Sequence, residues 1–247
     1  LIGKSNIAEY CINPYIGCQH ACKYCYASYY MEKIYGIKKC WGSYVYIKIN
    51  AVDILKKEIL KKEKGSVYIS SLTDPYQPLE KKYEIVRKIL EILTKNEWNV
   101  IVQTKSSLVL RDLDIFSTLK KVKIGVTIIS LNKDITNKYE TYASSIEERI
   151  RILKEIKESK IKNYVFIGPI LPFTEFREIQ ELINYIKDYS DFFFFDKFNL
   201  KPNLKEFLIK EFLQDKNIEE MKIYYRIIKE KIKKFCMENK IKFEVLF

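Results

Sequence analysis

At 247 residues the chain is long enough for one large domain or two small ones, with a sizeable core, which excludes a disulfide-stapled mini-protein. Apolar residues make up 47% and charged residues 31%, mixed along the chain, so neither a disordered tail nor a membrane protein fits. The net charge of +12 favours polyanions such as nucleic acid as partners, although lysine, isoleucine, asparagine and tyrosine abundant together also describe the product of an AT-rich genome.

In chain order, short β-branched and aromatic runs alternate with longer segments of helical period. The predicted strands are 10–13, 67–70, 99–103, 123–129, 164–167 and 192–196, with a further strand at 242–247. Between them, 51–64 puts Val52, Leu55 and Ile59 on one helical stripe, and 145–159 does the same with Ile146, Ile150 and Leu153. The stretch 217–242 reads as a lysine-rich helix whose exposed face is solvated. Apolar runs such as 164–173 and 192–195 are too short to span a bilayer, and 1–10 lacks a signal-peptide pattern, so the expectation is a cytoplasmic protein with no membrane partner. No linker or repeat divides the chain, so 1–247 reads as a single domain ending in the lysine-rich helix and final strand at 217–247.

Repeated βα units imply a parallel sheet, and in such folds ligands gather where strands end at their carboxyl edge. The loops expected there are 17–25, 71–80, 104–112, 130–145, 168–175 and 197–203, each bearing polar, proline or cysteine residues. Turns expected at the opposite edge, such as 61–66 and 157–163, are mostly charged. This asymmetry points to an enzyme with its site at the carboxyl edge.

Five of the six cysteines fall within the first 40 residues, and Cys18, Cys22 and Cys25 lie within eight positions, too close for a disulfide framework. The run Gly17-Cys18-Gln19-His20-Ala21-Cys22-Lys23-Tyr24-Cys25-Tyr26 is C-x3-C-x2-C, directly after the first predicted strand. Three thiolates on one loop suit a cubane iron–sulfur cluster with one iron left open. The alternative is zinc, with His20, Cys11 or Cys40 as fourth ligand, although zinc folds usually present two separated ligand pairs.

With an aromatic residue before its last cysteine, this motif resembles that of the radical S-adenosylmethionine (SAM) superfamily. Asn13-Pro14-Tyr15-Ile16-Gly17-Cys18 and Cys25-Tyr26-Ala27 are similar to its spore-photoproduct-lyase-related branch. So are Ser71-Leu72-Thr73-Asp74-Pro75-Tyr76-Gln77-Pro78-Leu79-Glu80, Thr104-Lys105-Ser106 with Arg111-Asp112, and Gly168-Pro169-Ile170-Leu171-Pro172. The resemblance implies an α/β fold, a partial (β/α)6 TIM-like barrel of parallel strands open on one side. It implies a [4Fe–4S] cluster on Cys18, Cys22 and Cys25, and S-adenosyl-L-methionine cleaved to a 5′-deoxyadenosyl radical. It also implies a reductant partner such as ferredoxin or flavodoxin.

Carried over residue by residue, Tyr24 and Ile170 would meet the adenine and Glu140 the ribose. Lys105 and Arg149 would meet the methionine carboxylate. Thr73 and Asp74 stand where the family usually has Gly-Gly-Glu for the methionine amino group. His20, the only histidine, is expected to pack behind the thiolates, Pro75, Tyr76 and Pro78 to shape the second loop, and Cys236 to be a small buried hydrophobe. No further cysteine matches the hydrogen-atom donor of the lyase itself, so the substrate stays open between nucleic acid and a peptide or small molecule. A non-enzymatic metal module holding RNA or DNA is a third reading, disfavoured by the βα pattern.

Overall fold

The computed structural model describes residues 1–213 and 216–247. The strands are β1 (Ile2–Lys4), β2 (Tyr10–Ile12), β3 (Tyr15–Ile16), β4 (Tyr46–Ile47), β5 (Ser66–Ile69), β6 (Asn99–Thr104), β7 (Val122–Thr127), β8 (Lys162–Ile170), β9 (Phe193–Lys197) and β10 (Phe243–Val245). Eight of them form one sheet in the order β1-β2-β5-β6-β7-β8-β9-β10. Every neighbour pair from β2 to β10 is parallel, and β1 runs antiparallel along β2. β3 and β4 pair separately as a two-stranded antiparallel ribbon. The sheet is therefore the expected partial α/β barrel, with β10 as a seventh parallel strand beyond the six βα units. Strands β1, β3 and β4 were not expected, because runs of two or three residues show no period.

The helices are α1 (Ala27–Tyr35), α2 (Ala51–Glu58), α3 (Glu80–Tyr83), α4 (Ile85–Lys95), α5 (Leu113–Phe116), α6 (Lys133–Tyr139), α7 (Ile146–Glu158), α8 (Phe176–Ile186), α9 (Lys205–Leu208) and α10 (Ile218–Glu238). Helices α7 and α10 start at capping boxes, Ser145 with Glu148 and Asn217 with Glu220, which satisfy backbone N–H groups that the first helical turn leaves free. The predicted stripes turn inward: Leu55, Ile59, Ile146, Ile150 and Leu153 are buried, and Val52 is half-buried. Among the described residues no helix is long and apolar enough to cross a membrane.

Alternation along the strands separates two environments. Val67, Ile69, Val100, Val102, Ile124, Val126, Val165, Ile167, Phe193 and Phe195 point outward and form the main core with the helices. Inward positions are more polar: Tyr68, Gln103, Thr127, Phe166 and Asp196 line a space inside the barrel. Below them the Tyr164 hydroxyl donates to Gln103 Oε1 at 3.2 Å, and Gln103 Nε2 donates to Thr127 Oγ1 at 3.2 Å. The Tyr164 ring lies across Gly125, its register partner on β7, where an added Cβ would stand 2.2 Å from the ring. Gly125 is thus the gap that lets a tyrosine floor the barrel.

A buried ionic cluster ties the β5–α4 region to the segment after β6. Glu80, fully buried, accepts from Arg111 Nη2 at 3.0 Å, from the Tyr15 hydroxyl at 2.5 Å and from the backbone N–H of Val86 at 3.0 Å. Asp112, also fully buried, accepts from Arg87 at 2.8 Å, from Arg111 at 2.8 Å and from the Tyr76 hydroxyl at 3.0 Å. Removing Glu80 leaves the Tyr15 hydroxyl, the Val86 N–H and an Arg111 guanidinium only 21% exposed short of an acceptor, which costs roughly 3–5 kcal/mol.

Two stability predictions follow from these contacts. Glu80→Ala is expected to lower unfolding stability by about 3–5 kcal/mol in denaturant titration, whereas Glu97→Ala, which removes exposed bridges to Lys64 and Lys120, leaves the midpoint nearly unchanged. Equal effects would deny the buried cluster its role. Gly125→Ala should cost about 1–3 kcal/mol by overpacking against Tyr164; an unchanged midpoint would mean that the ring is free to move.

Candidate active site

The first carboxyl-edge loop leaves β2 and turns at Gly17, whose φ of +95° only glycine adopts cheaply and whose added Cβ would lie 2.5 Å from the Tyr44 carbonyl oxygen. Two successive turns follow, Ala21 N–H to the Cys18 carbonyl at 3.3 Å and Cys25 N–H to the Cys22 carbonyl at 3.1 Å. They bring Cys18 and Cys22, buried, and Cys25, half-buried, onto one wall. Burial pushes each thiol up to about 12, and each also feels another of the three: Cys18 feels Cys25, Cys22 feels Cys18, and Cys25 feels Cys22.

The other cysteines lie elsewhere. Cys11 contacts Ser71 Oγ at 3.3 Å, Cys40 is exposed, and Cys236 is buried in α10. Among the described residues no group of three or more His, Cys, Asp or Glu side chains is arranged to hold a single metal ion.

The loop after β5 clamps the cysteine loop. Thr73 Oγ1 donates to the Gly17 carbonyl at 2.6 Å, Gln77 Oε1 accepts from Gln19 N–H at 2.9 Å, and Gln19 Oε1 accepts from Leu79 N–H at 2.7 Å. Asp74 joins a third loop. Its Oδ1 accepts from Thr104 Oγ1 at 2.6 Å and Tyr76 N–H at 2.9 Å, its Oδ2 from Lys105 N–H at 2.8 Å, and His20 Nδ1 stands 3.3 Å from Oδ2. Burial alone would raise this carboxyl, but the adjacent His20 and the hydrogen bonds from Thr104 and Lys105 outweigh it and hold the group at about 2.

A fourth loop supports Tyr24. Its hydroxyl donates to Glu140, which is fully buried, pairs with Arg149 Nη1 at 2.5 Å, and lies 4.0 Å from Lys105 Nζ. Arg149 is itself 1% exposed and also donates to the carbonyls of Ser144 at 2.8 Å and Thr127 at 3.2 Å. Lys105, with its side chain 18% exposed, places its ammonium 5.8 Å from the centre of the Tyr24 ring.

These loops enclose a space of about 890 Å3, counting its open mouth. Of the sequence-predicted residues, Cys18, Cys22, Tyr24, Cys25, Thr73, Asp74 and Lys105 line it. Glu140, Arg149 and Ile170 do not: the first two are spent on each other and on Tyr24 behind the wall, and Ile170 is 1% exposed, its carbonyl accepting from the Tyr225 hydroxyl at 2.9 Å. In this arrangement those three residues stand behind the wall of the space rather than on it.

The wall also includes Trp41, Ser70, Gln103, Thr127, Asp196 and Asn199, which sequence reasoning did not single out. Their common signal was position in or beside carboxyl-edge loops, except for Trp41, which has none. Among the described residues, the buried side-chain polar atoms without a hydrogen-bond partner are His20 Nδ1, Trp41 Nε1 and Ser70 Oγ, and all three residues line this one space. Of these, His20 Nδ1 faces Asp74 at 3.3 Å; buried polar atoms are ordinarily satisfied, so the other two, left over beside the three thiols, fit a site built for a polar, thiolate-bound group.

A family model for the radical SAM superfamily matches residues 12–186. An uncharacterized protein of Methanocaldococcus jannaschii is 40% identical over 216 residues, 87% of this chain and 79% of that protein. An uncharacterized protein of Acidianus two-tailed virus is 32% identical over 185 residues, covering 72% and 61%, and a spore photoproduct lyase of Clostridium acetobutylicum is 29% identical over 190 residues, covering 73% and 52%. The chain thus spans most of the archaeal relative but only about half to three fifths of the other two.

Among solved structures, a spore photoproduct lyase mutant aligns with a TM-score of 0.75 at 15% identity, covering 100% of this chain and 79% of the other. SuiB of Streptococcus suis bound to S-adenosylmethionine gives 0.67 at 13%, covering 96% and 50%. At such identities the likeness is one of fold. The family model, by contrast, spans the cysteine loop and every sequence-predicted site residue through Ile170, and on that match the chain belongs to the radical SAM superfamily and is an enzyme of it.

Proposed function

We propose that Cys18, Cys22 and Cys25 hold a [4Fe–4S] cluster, that S-adenosyl-L-methionine lies beside it in the same space, and that nucleic acid is the substrate. The observation supporting this most directly is the convergence of three thiols, two buried and one half-buried, with the unpartnered polar atoms of Trp41 and Ser70 on one cavity wall. A cluster held there would supply the single-electron reduction that splits S-adenosyl-L-methionine into methionine and the 5′-deoxyadenosyl group needed for hydrogen-atom abstraction.

The chain's own residues bind and orient. Lys105, the ammonium on the inner wall, is the group for the methionine carboxylate, and Tyr24 offers a ring held in place by Glu140 and Arg149. Asp74 has its oxygens engaged by three donors and His20, so its part is to fix the loops around the ligand; Ser70 and Trp41 have the free donors on that wall. A reductant protein such as ferredoxin or flavodoxin delivers the electron. The nucleic-acid reading draws support from the net charge of +12 and from the spore photoproduct lyase relative.

Protein reconstituted with iron and sulfide without oxygen is expected to be brown and, with dithionite and S-adenosyl-L-methionine, to yield 5′-deoxyadenosine. Alanine at Cys18, Cys22 or Cys25 should abolish both colour and cleavage. Colourless protein with stoichiometric zinc after that treatment would overturn the reading.

In the metal-free protein burial pushes the three thiols up to about 12, so they are largely neutral at pH 8, and Cys18 and Cys22 are also shielded from solvent. Iodoacetamide should therefore modify exposed Cys40 first, as followed by peptide mass spectrometry, with the three reacting appreciably only as pH approaches that value. Equal rates at pH 8 would show the loop to be open.

A further inference from the structure

The mouth of the cavity does not end at its rim. Asp196, Lys197 and Asn199, at the carboxyl end of β9, belong both to its wall and to that of a groove running between this segment and α10. The groove offers about 1360 Å3, counting open solvent. Along its α10 side stand Lys222, Arg226 and Lys229, spaced i, i+4, i+7, which places them on one helical stripe. Among the described residues that line it four are cationic, and Asp196 is the single acidic side chain.

An excess of lysine runs through the whole chain, so positive charge alone decides nothing. Arginine is more selective. Five of the six arginines pair with carboxylates: Arg87 with Asp112 at 2.8 Å, Arg111 with Glu80 at 3.0 Å, Arg149 with Glu140 at 2.5 Å, Arg151 with Glu155 at 3.7 Å and Arg177 with Glu181 at 2.8 Å. Arg226, exposed in the groove, has no carboxylate within 4.0 Å among the described residues. Lys222 meets only Glu219, through a solvent-exposed bridge that competes weakly with a ligand, and Lys229 contacts the Phe247 carbonyl.

We propose that this groove is the track for the phosphodiester backbone of a nucleic-acid strand, with Lys222, Arg226 and Lys229 gripping phosphates while one nucleotide reaches the cavity past Lys197 and Asn199. The proposal rests on the nucleic-acid reading above and adds the surface that would hold the strand. A guanidinium fork matches phosphate oxygens in pairs, and the flanking ammonium groups act as point charges. The continuous wall from groove to cavity is what separates this surface from other basic patches. At the opposite edge of the barrel Lys121, Lys123 and Lys162 line a cleft of comparable charge that has no lining residue in common with the cavity.

That second cleft supplies the control. A labelled single-stranded oligonucleotide is titrated against the full chain and against the triple variants K222A/R226A/K229A and K121A/K123A/K162A, all of which remove three exposed or half-exposed cations. Thermal melts establish that each is folded, and R226E alone serves if the groove triple is not. The groove triple should bind about tenfold or more weakly, and its log Kd should depend on log salt with a slope smaller by about 2, as expected for three lost contacts to a single strand. The opposite-edge triple should stay within about threefold of the unaltered chain.

Equal weakening of both triples, or none in the groove triple, overturns the groove. Displacement of the oligonucleotide by poly-glutamate at equal charge also overturns it, since the surface would then read only charge. An unaltered chain that binds no oligonucleotide at low salt overturns the nucleic-acid reading, and the groove with it.

Discussion

A single carboxylate, that of Asp74, holds together three loops that arrive from three different strands. Thr104 and the Lys105 N–H come from the end of β6, Tyr76 N–H from the loop after β5, and His20 from the loop after β2. Three thiols on a flexible loop would converge only at a large cost in conformational entropy. With the Asp74 knot and the Thr73 and Gln77 clamp in place, that cost is met when the chain folds, before any group binds. Preorganisation of this kind is what a site needs to keep a reactive centre within fractions of an ångström.

The division of labour between the two faces of the sheet follows from the same need. Outside, β-branched and aromatic residues on alternate positions bury against helices and supply the bulk of the stability. Inside, the chain retains polar groups that an unliganded core would not tolerate, and buried ion pairs sit just behind them. Glu80 and Asp112, both paired with Arg111, fix the second and third loops, and Glu140 with Arg149 fixes Tyr24. Such pairs contribute little net stability compared with apolar packing, so their value here is geometric.

How much of this could be read in advance depends on the range of each interaction. Strands β5 to β9 and helices α7 and α10 were legible because period and caps are local; Ser145-Ile-Glu-Glu148 announces a helix start by itself. The short strands β1, β3 and β4 carry too few residues to show a period. At the site, the cysteine spacing declared itself, and the family resemblance led to Tyr24, Thr73, Asp74 and Lys105 on the wall. The resemblance also pointed at Glu140, Arg149 and Ile170, where distance along the chain hid the outcome. Glu140 and Arg149 lie nine residues apart and pair with each other, which only the folded course of the chain between α6 and α7 reveals. Ser70 and Trp41 became visible only when their lack of partners could be seen in three dimensions.

The Tyr164 ring lying over Gly125 sets the depth of the well above it. The space above that floor, about 890 Å3 counting its open mouth, is where the proposed cluster, S-adenosyl-L-methionine and the reacting part of a substrate would meet. On the groove proposal, part of the substrate would enter the well while the rest is held outside it. For such an enzyme, a substrate trimmed to the fragment that fits inside would lose turnover as well as affinity, because remote contacts would no longer hold the reacting atom in place.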